Sequence, residues 1–144
     1  MNEKITKIIS LAENLIGTPY HYGASTSDQT SFDCSSFIQY IFKTGAEIEL
    51  PRSAILQAGD EQGQEIDPSQ PENFQPGDLL FMRGSQGHYR DEFFNDRPID
   101  IGHVALFIGN DEIIHSAGGE KNKVIKESAK QFYKKINFVK RFII

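Results

Sequence analysis

Apolar residues recur along this chain first at helical spacing and later at strand spacing, and the change of period divides it in two. Ile5, Ile8, Ile9, Ala12, Leu15 and Ile16 share one helical face, which predicts a helix over residues 3–16 that Gly17 ends and Thr18-Pro19 prevents from continuing. Cys34, Phe37, Ile38, Ile41 and Phe42 repeat the pattern, so a second helix begins at Cys34 and stops at Gly45. Ser53 is a plausible N-cap for a short third helix from Ala54 to Ala58, closed by Gly59. Residues 62–77, rich in Gln, Pro, Glu and Asp, read as a surface connection that ends in the turn Gln75-Pro76-Gly77-Asp78. Leu79-Leu80-Phe81-Met82 follows as a short, fully apolar run, which is the signature of a buried strand.

Beyond Met82 the segment from Arg83 to Ile101 has no clear period and carries Tyr89, Phe93 and Phe94. Loops of this length are uncommon in compact domains and often serve as lids or binding loops. The clearest hairpin comes next, with residues 102–108 and 112–117 as its arms and Gly109-Asn110-Asp111 around its turn. Residues 123–126 suggest another strand, 128–135 a short helix or turn, and 136–144 a closing strand rich in β-formers. Helices first and antiparallel strands afterwards predict an α+β fold, with the N-terminal helices packed on one side of a central sheet.

Composition narrows the classes that fit. A chain of 144 residues and 16.3 kDa is large enough to bury one core, and the whole of 1–144 is expected to form a single domain. The net charge of −5 and pI near 5.3 argue against a role dominated by nucleic-acid phosphates or an anionic membrane surface. A single cysteine excludes an internal disulfide, and thiolate zinc sites usually draw on two to four cysteines. The N-terminus lacks a basic segment followed by an apolar one, and no run of about 18 apolar residues occurs. The expectation is therefore a chain without a signal peptide or membrane insertion, cytoplasmic or exported by a non-classical, phage or secretion-system route.

Candidate chemistry centres on Cys34. At the start of a helix, unpaired backbone N–H groups and the positive end of the dipole favour a thiolate, the reactive form of cysteine. The competing reading is a small core residue, the usual fate of a lone cysteine on an apolar helix face. Two histidines in the predicted hairpin, His103 and His115, supply a possible base and orienter. Strand parity tests them. A two-residue turn at Asn110-Asp111 pairs 106 with 115 and sends the histidines to opposite faces, whereas a three-residue loop pairs Ala105 with His115 and brings them to one face. They then lie about 7–8 Å apart along the backbone as diagonal neighbours. A catalytic pair thus predicts an odd-length loop or a bulge that restores parity. Each histidine also fits a structural role at a strand edge, and a Cys-His-His metal site lacks an obvious fourth ligand. His21 and His88 fall in predicted loops, where solvation is the ordinary role. Tyr20 and Tyr22, at the head of a polar loop running to Asp28, fit either packing or a site wall.

Pro19-Tyr20, Asp33-Cys34-Ser35-Ser36, Leu50-Pro51-Arg52, Gln75-Pro76-Gly77-Asp78-Leu79, Gly102-His103-Val104 with Ile108-Gly109, and Ile114-His115 occur in that order from Gly17 to about Ser116. Together they resemble the NlpC/P60 family of cysteine peptidases. The resemblance implies a papain-like α+β fold, no cofactor or metal, and hydrolysis of an amide bond in peptidoglycan stem peptides or muropeptides, typically between γ-D-glutamate and the diamino acid that follows. It implies that Cys34 is the nucleophile, His103 the general base and His115 the third polar residue, with Asp33, Ser35 and Tyr20 as substrate contacts. The same triad would serve a thiol acyltransferase or esterase, and a degenerate domain would bind muropeptides without cutting them. Two departures stand out. Ser36 replaces the glycine usual after Asp-Cys-Ser and is expected to narrow the pocket, and the segment from Arg83 to Ile101 is longer than usual and could cap or redirect the cleft.

Overall fold

The computed structural model describes residues 2–24, 29–84, 88–89, 94, 96–97 and 99–144. Helix α1 spans Glu3–Asn14 and is capped by the Asn2 side chain, which accepts from the Lys4 N–H at 2.7 Å. It ends two residues before the predicted boundary. The reason is tertiary: the Gly17 N–H donates to the Val124 carbonyl and the Val124 N–H to that of Thr18, so the chain leaves the helix to meet a strand. Helix α2 spans Cys34–Ala46 and helix α3 Ala54–Ala58, with Ser53 as the cap of the latter. Gly45 is buried within the last turn of α2 rather than ending it, and the chain turns out at Glu47, whose φ of 57° is left-handed.

Six strands form one antiparallel sheet. They are β1 (Gln64–Ile66), β2 (Leu79–Met82), β5 (His103–Gly109), β6 (Glu112–Ala117), β7 (Lys123–Ser128) and β8 (Ile136–Arg141), in the order β1-β8-β2-β5-β6-β7. The 62–77 connection thus contains an edge strand that the sequence reading lacked, paired with β8 from Gln64↔Arg141 to Ile66↔Val139. Leu79 and Phe81 join α1 and α2 in the main core, with Ile8, Phe37, Ile41, Val104, Leu106 and Ile114. Leu80 and Met82 point the other way, into a smaller cluster with Ala105, Phe107, Ile113 and Val139. Phe132 and Tyr133 of the 3-10 helix Lys130–Lys135 cover that second face. This two-sided burial is why β2 is apolar at every position.

Much of the segment from Arg83 to Ile101, including Phe93, lies outside the described residues, as do residues 25–28 of the polar loop after Tyr20. Within it, β3 (His88–Tyr89) pairs with β4 (Asp100–Ile101), so His88 belongs to a short strand and not to a loop. Phe94 is buried and meets Phe138 edge-on at 4.9 Å between ring centres, which anchors this segment to the core. Among the described residues no helix is long and apolar enough to cross a membrane.

Candidate active site

Cys34 occupies the first turn of α2, held there by a reciprocal cap. The Asp33 carboxylate accepts from the Ser36 N–H at 2.8 Å, and the Ser36 hydroxyl accepts from the Asp33 N–H at 2.9 Å. Ser36 is fully buried in this cap and takes no part in lining the cleft. The expectation that it narrows the pocket is therefore overturned: its small side chain turns back onto its own helix end.

Asp33 is also the hub of a second set of bonds. Arg52 donates to both of its carboxylate oxygens at 3.1 and 2.7 Å, to the Ser35 hydroxyl at 2.9 Å and to the Ala24 carbonyl at 2.8 Å, while the Gly23 N–H donates to Asp33 at 3.1 Å. Bonds from Arg52 and Ser36 outweigh the cost of burial and hold the Asp33 carboxyl below the usual carboxylate range. Fully buried Gln57 donates to the Ser35 and Pro51 carbonyls, at 3.0 and 2.9 Å, and so ties α3 to the nucleophile's turn. Arg52 and Gln57 were not singled out from sequence as site residues. Arg52 stood within a quoted motif, but its partners are known only once the chain is folded.

The Cys34 thiol lies 3.9 Å from the Gly102 carbonyl, to which it donates. Burial pushes its pKa up to about 11, the Val104 N–H works against that shift, and the negative charge of Asp33 adds to it. The expected helix-end preference for thiolate is outweighed, because removing sulfur from water costs more than one helix end returns. A close backbone crossing fixes the acceptor: a Cβ on Gly84 would fall 2.6 Å from the Gly102 oxygen. Glycine is required there.

The histidines meet through the hairpin register. Asn110 and Asp111 form a two-residue turn with φ of 53° and 55°, and Gly109 pairs with Glu112. Phe107 pairs with Ile113, so Ile108 is an extra residue, a bulge that shifts the register to Leu106↔Ile114. Continued, that register sets Ala105 against His115 and turns His103 and His115 to one face, as a catalytic pair requires. Their rings meet edge-on, with His103 Nε2 2.8 Å from His115 Nδ1. His115 Nε2 is 2.6 Å from a carboxylate oxygen of Glu127 on β7, and Lys121 donates to the same carboxylate at 2.6 and 2.7 Å. Burial, and then the neighbouring His115, push His103 down to about 3; burial also lowers His115, against the pull of Glu127. Both rings are neutral at pH 7. Bonds from Lys121 and His115 overcome burial and keep Glu127 ionised. Glu127 was absent from the sequence reading, and only the β6–β7 register, with Ile125 opposite His115, brings it within reach.

Cys34, His103 and His115 line a cleft of about 920 Å³, together with Tyr20, Asp33 and Ser35. The Tyr20 ring lies over Gly118, where an added Cβ would meet it at 3.1 Å. Burial, and then the charges of Cys34 and Asp33, raise its pKa, so the hydroxyl keeps its proton in the cleft that Cys34 also lines. His21 is exposed. Among the described residues no group of three His, Cys, Asp or Glu side chains is arranged to hold a metal ion.

Residues 17–141 match the model of the NlpC/P60 family. A γ-DL-glutamyl hydrolase of Bacillus subtilis is 30% identical over 135 residues, which cover 94% of this chain and 29% of that protein. A protein of Escherichia coli K12 named murein DD-endopeptidase MepS/murein LD-carboxypeptidase is 32% identical over 120 residues, 83% of this chain and 52% of its own length. The chain thus spans about half of one curated relative and less than a third of the other. Among solved structures, the NlpC/P60 domain of the peptidoglycan hydrolase SagA superposes with a TM-score of 0.70 at 27% identity, covering 96% of this chain and 97% of that one.

Proposed function

The chain belongs to the NlpC/P60 family, and on that premise we propose that it is a cysteine peptidase cutting an amide bond in peptidoglycan stem peptides through a Cys34 acyl-enzyme. The observation that carries this reading is the 2.8 Å contact between His103 and His115 in the same cleft as Cys34. One nitrogen of His103 is committed to His115, which leaves the other for the thiol.

The resting pair is a thiol and a neutral imidazole, so the proton passes from sulfur to His103 as the sulfur attacks the amide carbonyl. His115 holds the ring in place through the change of charge. The Cys34 N–H, in a turn whose N–H groups lack intrahelical acceptors, and the Tyr20 hydroxyl stabilise the developing oxyanion. Loss of one such donor costs about 3 kcal/mol. The imidazolium then protonates the leaving amine, and water, giving a proton to His103, attacks the thioester carbonyl, so that the acid leaves and the proton returns to the Cys34 sulfur. Asp33 and Ser35, fixed by Arg52, form the substrate-binding wall on the nucleophile's side.

The bond we assign is the one between γ-D-glutamate and the diamino acid. Support comes from the γ-glutamyl specificity in the name of the Bacillus subtilis relative, while the Escherichia coli relative is named for DD- and LD-bonds. Incubation with defined stem peptides, followed by mass spectrometry of the products, tests both the reaction and the bond. A fragment ending in D-glutamate with its γ-carboxyl free and a fragment beginning with the free amine of the diamino acid are expected; an ester or a transferred acyl group points to acyl transfer instead. Cys34→Ala is expected to abolish turnover with the circular dichroism spectrum unchanged, and turnover at the parent rate in that variant sinks the reading.

A further inference from the structure

We propose that Glu127 is a positioning residue that sets the tautomer of both histidines and thereby leaves the lone pair of His103 Nδ1 to receive the Cys34 proton. This deepens the peptidase reading and rests on it for its kinetic consequence, while the tautomers themselves are independent of any substrate.

The inference follows from donor and acceptor bookkeeping along one chain of contacts. An ionised carboxylate only accepts hydrogen bonds, so at 2.6 Å from Glu127 the His115 Nε2 must carry the proton. A neutral imidazole has one N–H, so His115 Nδ1 is an acceptor. His103 Nε2, 2.8 Å away, must then donate to it. His103 Nδ1 is left bare. When the Cys34 S–H bond breaks, the N–H bond forms at Nδ1, and the positive charge on His103 is met by a ring that Glu127 already polarises.

The surroundings of Glu127 fix this direction. Lys121 Nζ donates to Oε1 at 2.6 Å and to Oε2 at 2.7 Å, and Gln131 Nε2 donates to Oε1 at 3.0 Å. Lys121 thus bridges both oxygens, Gln131 adds a second donor to Oε1 and His115 one to Oε2. Gln131 Nε2 also donates to the Ser128 carbonyl at 3.2 Å, so its amide is not free to turn, whereas His115 can move its proton between its two nitrogens. A glutamine at this position would hold its amide oxygen on the Oε1 side, where Lys121 and Gln131 require an acceptor. Its NH₂ group would face His115 Nε2 and demand a lone pair there. Each ring would then exchange its tautomer, and the proton would sit on His103 Nδ1, where it blocks the thiol. An alanine leaves His115 Nε2 to water, which accepts as readily as it donates.

The consequence is an inverted order of damage. Glu127→Gln, nearly identical in shape, is expected to lower kcat on a defined γ-D-glutamyl stem peptide about 100-fold with KM unchanged, and Glu127→Ala only about 10-fold. Nitrogen-15 NMR of the full chain is expected to show Nε2–H on both histidines in the parent protein and Nδ1–H on both in Glu127→Gln. A role in packing alone predicts the opposite order, with Ala the more harmful. The proposal is overturned if the Gln variant is the more active of the two, if its tautomers match the parent's, or if His103 in the parent carries its proton on Nδ1. Should the parent chain cut no stem peptide, the peptidase reading fails and the NMR result alone decides the role of Glu127. A Gln variant that does not fold leaves the parent tautomers as the deciding measurement.

Discussion

The turn that carries Cys34 is capped within one helix end, whereas His103 is held by bonds that cross three strands. The nucleophile's turn closes on itself through Asp33 and Ser36, three positions apart, and Arg52 braces it through the Asp33 carboxylate. The base depends on β5, β6 and β7 keeping one register, because His103, His115 and Glu127 come from a different strand each. The difference in construction predicts a difference in fragility. A helix end tolerates side-chain changes that cost stability alone, while a one-residue slip between strands turns every later side chain to the other face.

The strongest way to break the base side is to replace His103 by alanine. The group that takes the thiol proton is then gone, so activity on a stem peptide is expected to fall by about 10³-fold. Cross-strand contacts between β6 and β7, read by NMR, are expected to persist; full activity with those contacts intact would show that the histidines do not act as a pair.

A second measurement sharpens the contrast at the sulfur itself. Because burial holds the Cys34 thiol protonated until about pH 11, the thiolate fraction rises tenfold per pH unit below that point. Alkylation by iodoacetamide is expected to accelerate about 100-fold between pH 7 and pH 9. A fast rate that stays level over this range would reveal a thiolate–imidazolium pair already formed in the resting enzyme. The smallest effect is expected at Ser36. Its replacement by glycine removes one arm of the cap and adds backbone freedom, lowering stability by about 1–2 kcal/mol in thermal unfolding, with KM unchanged. A large change in KM would return Ser36 to the cleft.

This division also decides what could be read from the residues in order. Cys34 and the helix behind it are visible in a local pattern, as are the paired apolar arms of the β5–β6 hairpin. The demand for one shared histidine face followed from parity, and the bulge at Ile108 is one of the two solutions that parity allows. Edge strand β1 escaped notice because Gln64-Glu65-Ile66 has no buried face of its own and pairs with residues far along the chain. Glu127 and Arg52 were hidden for the same physical reason. A charged residue in a strand or loop reads as solvated until its partner is known, and both partners are set by tertiary register.

The bulge separates the identity of the turn from the geometry of the base. Asn110-Asp111 can be exchanged for connections of other lengths provided that Phe107 still faces Ile113, because that pairing sets Ala105 against His115. A longer loop beyond it leaves the histidines in phase, and loss of Ile108 itself would leave a plain two-residue hairpin in the same register. The hairpin tip is therefore a place where sequences can be grafted onto this enzyme without turning its base out of the cleft.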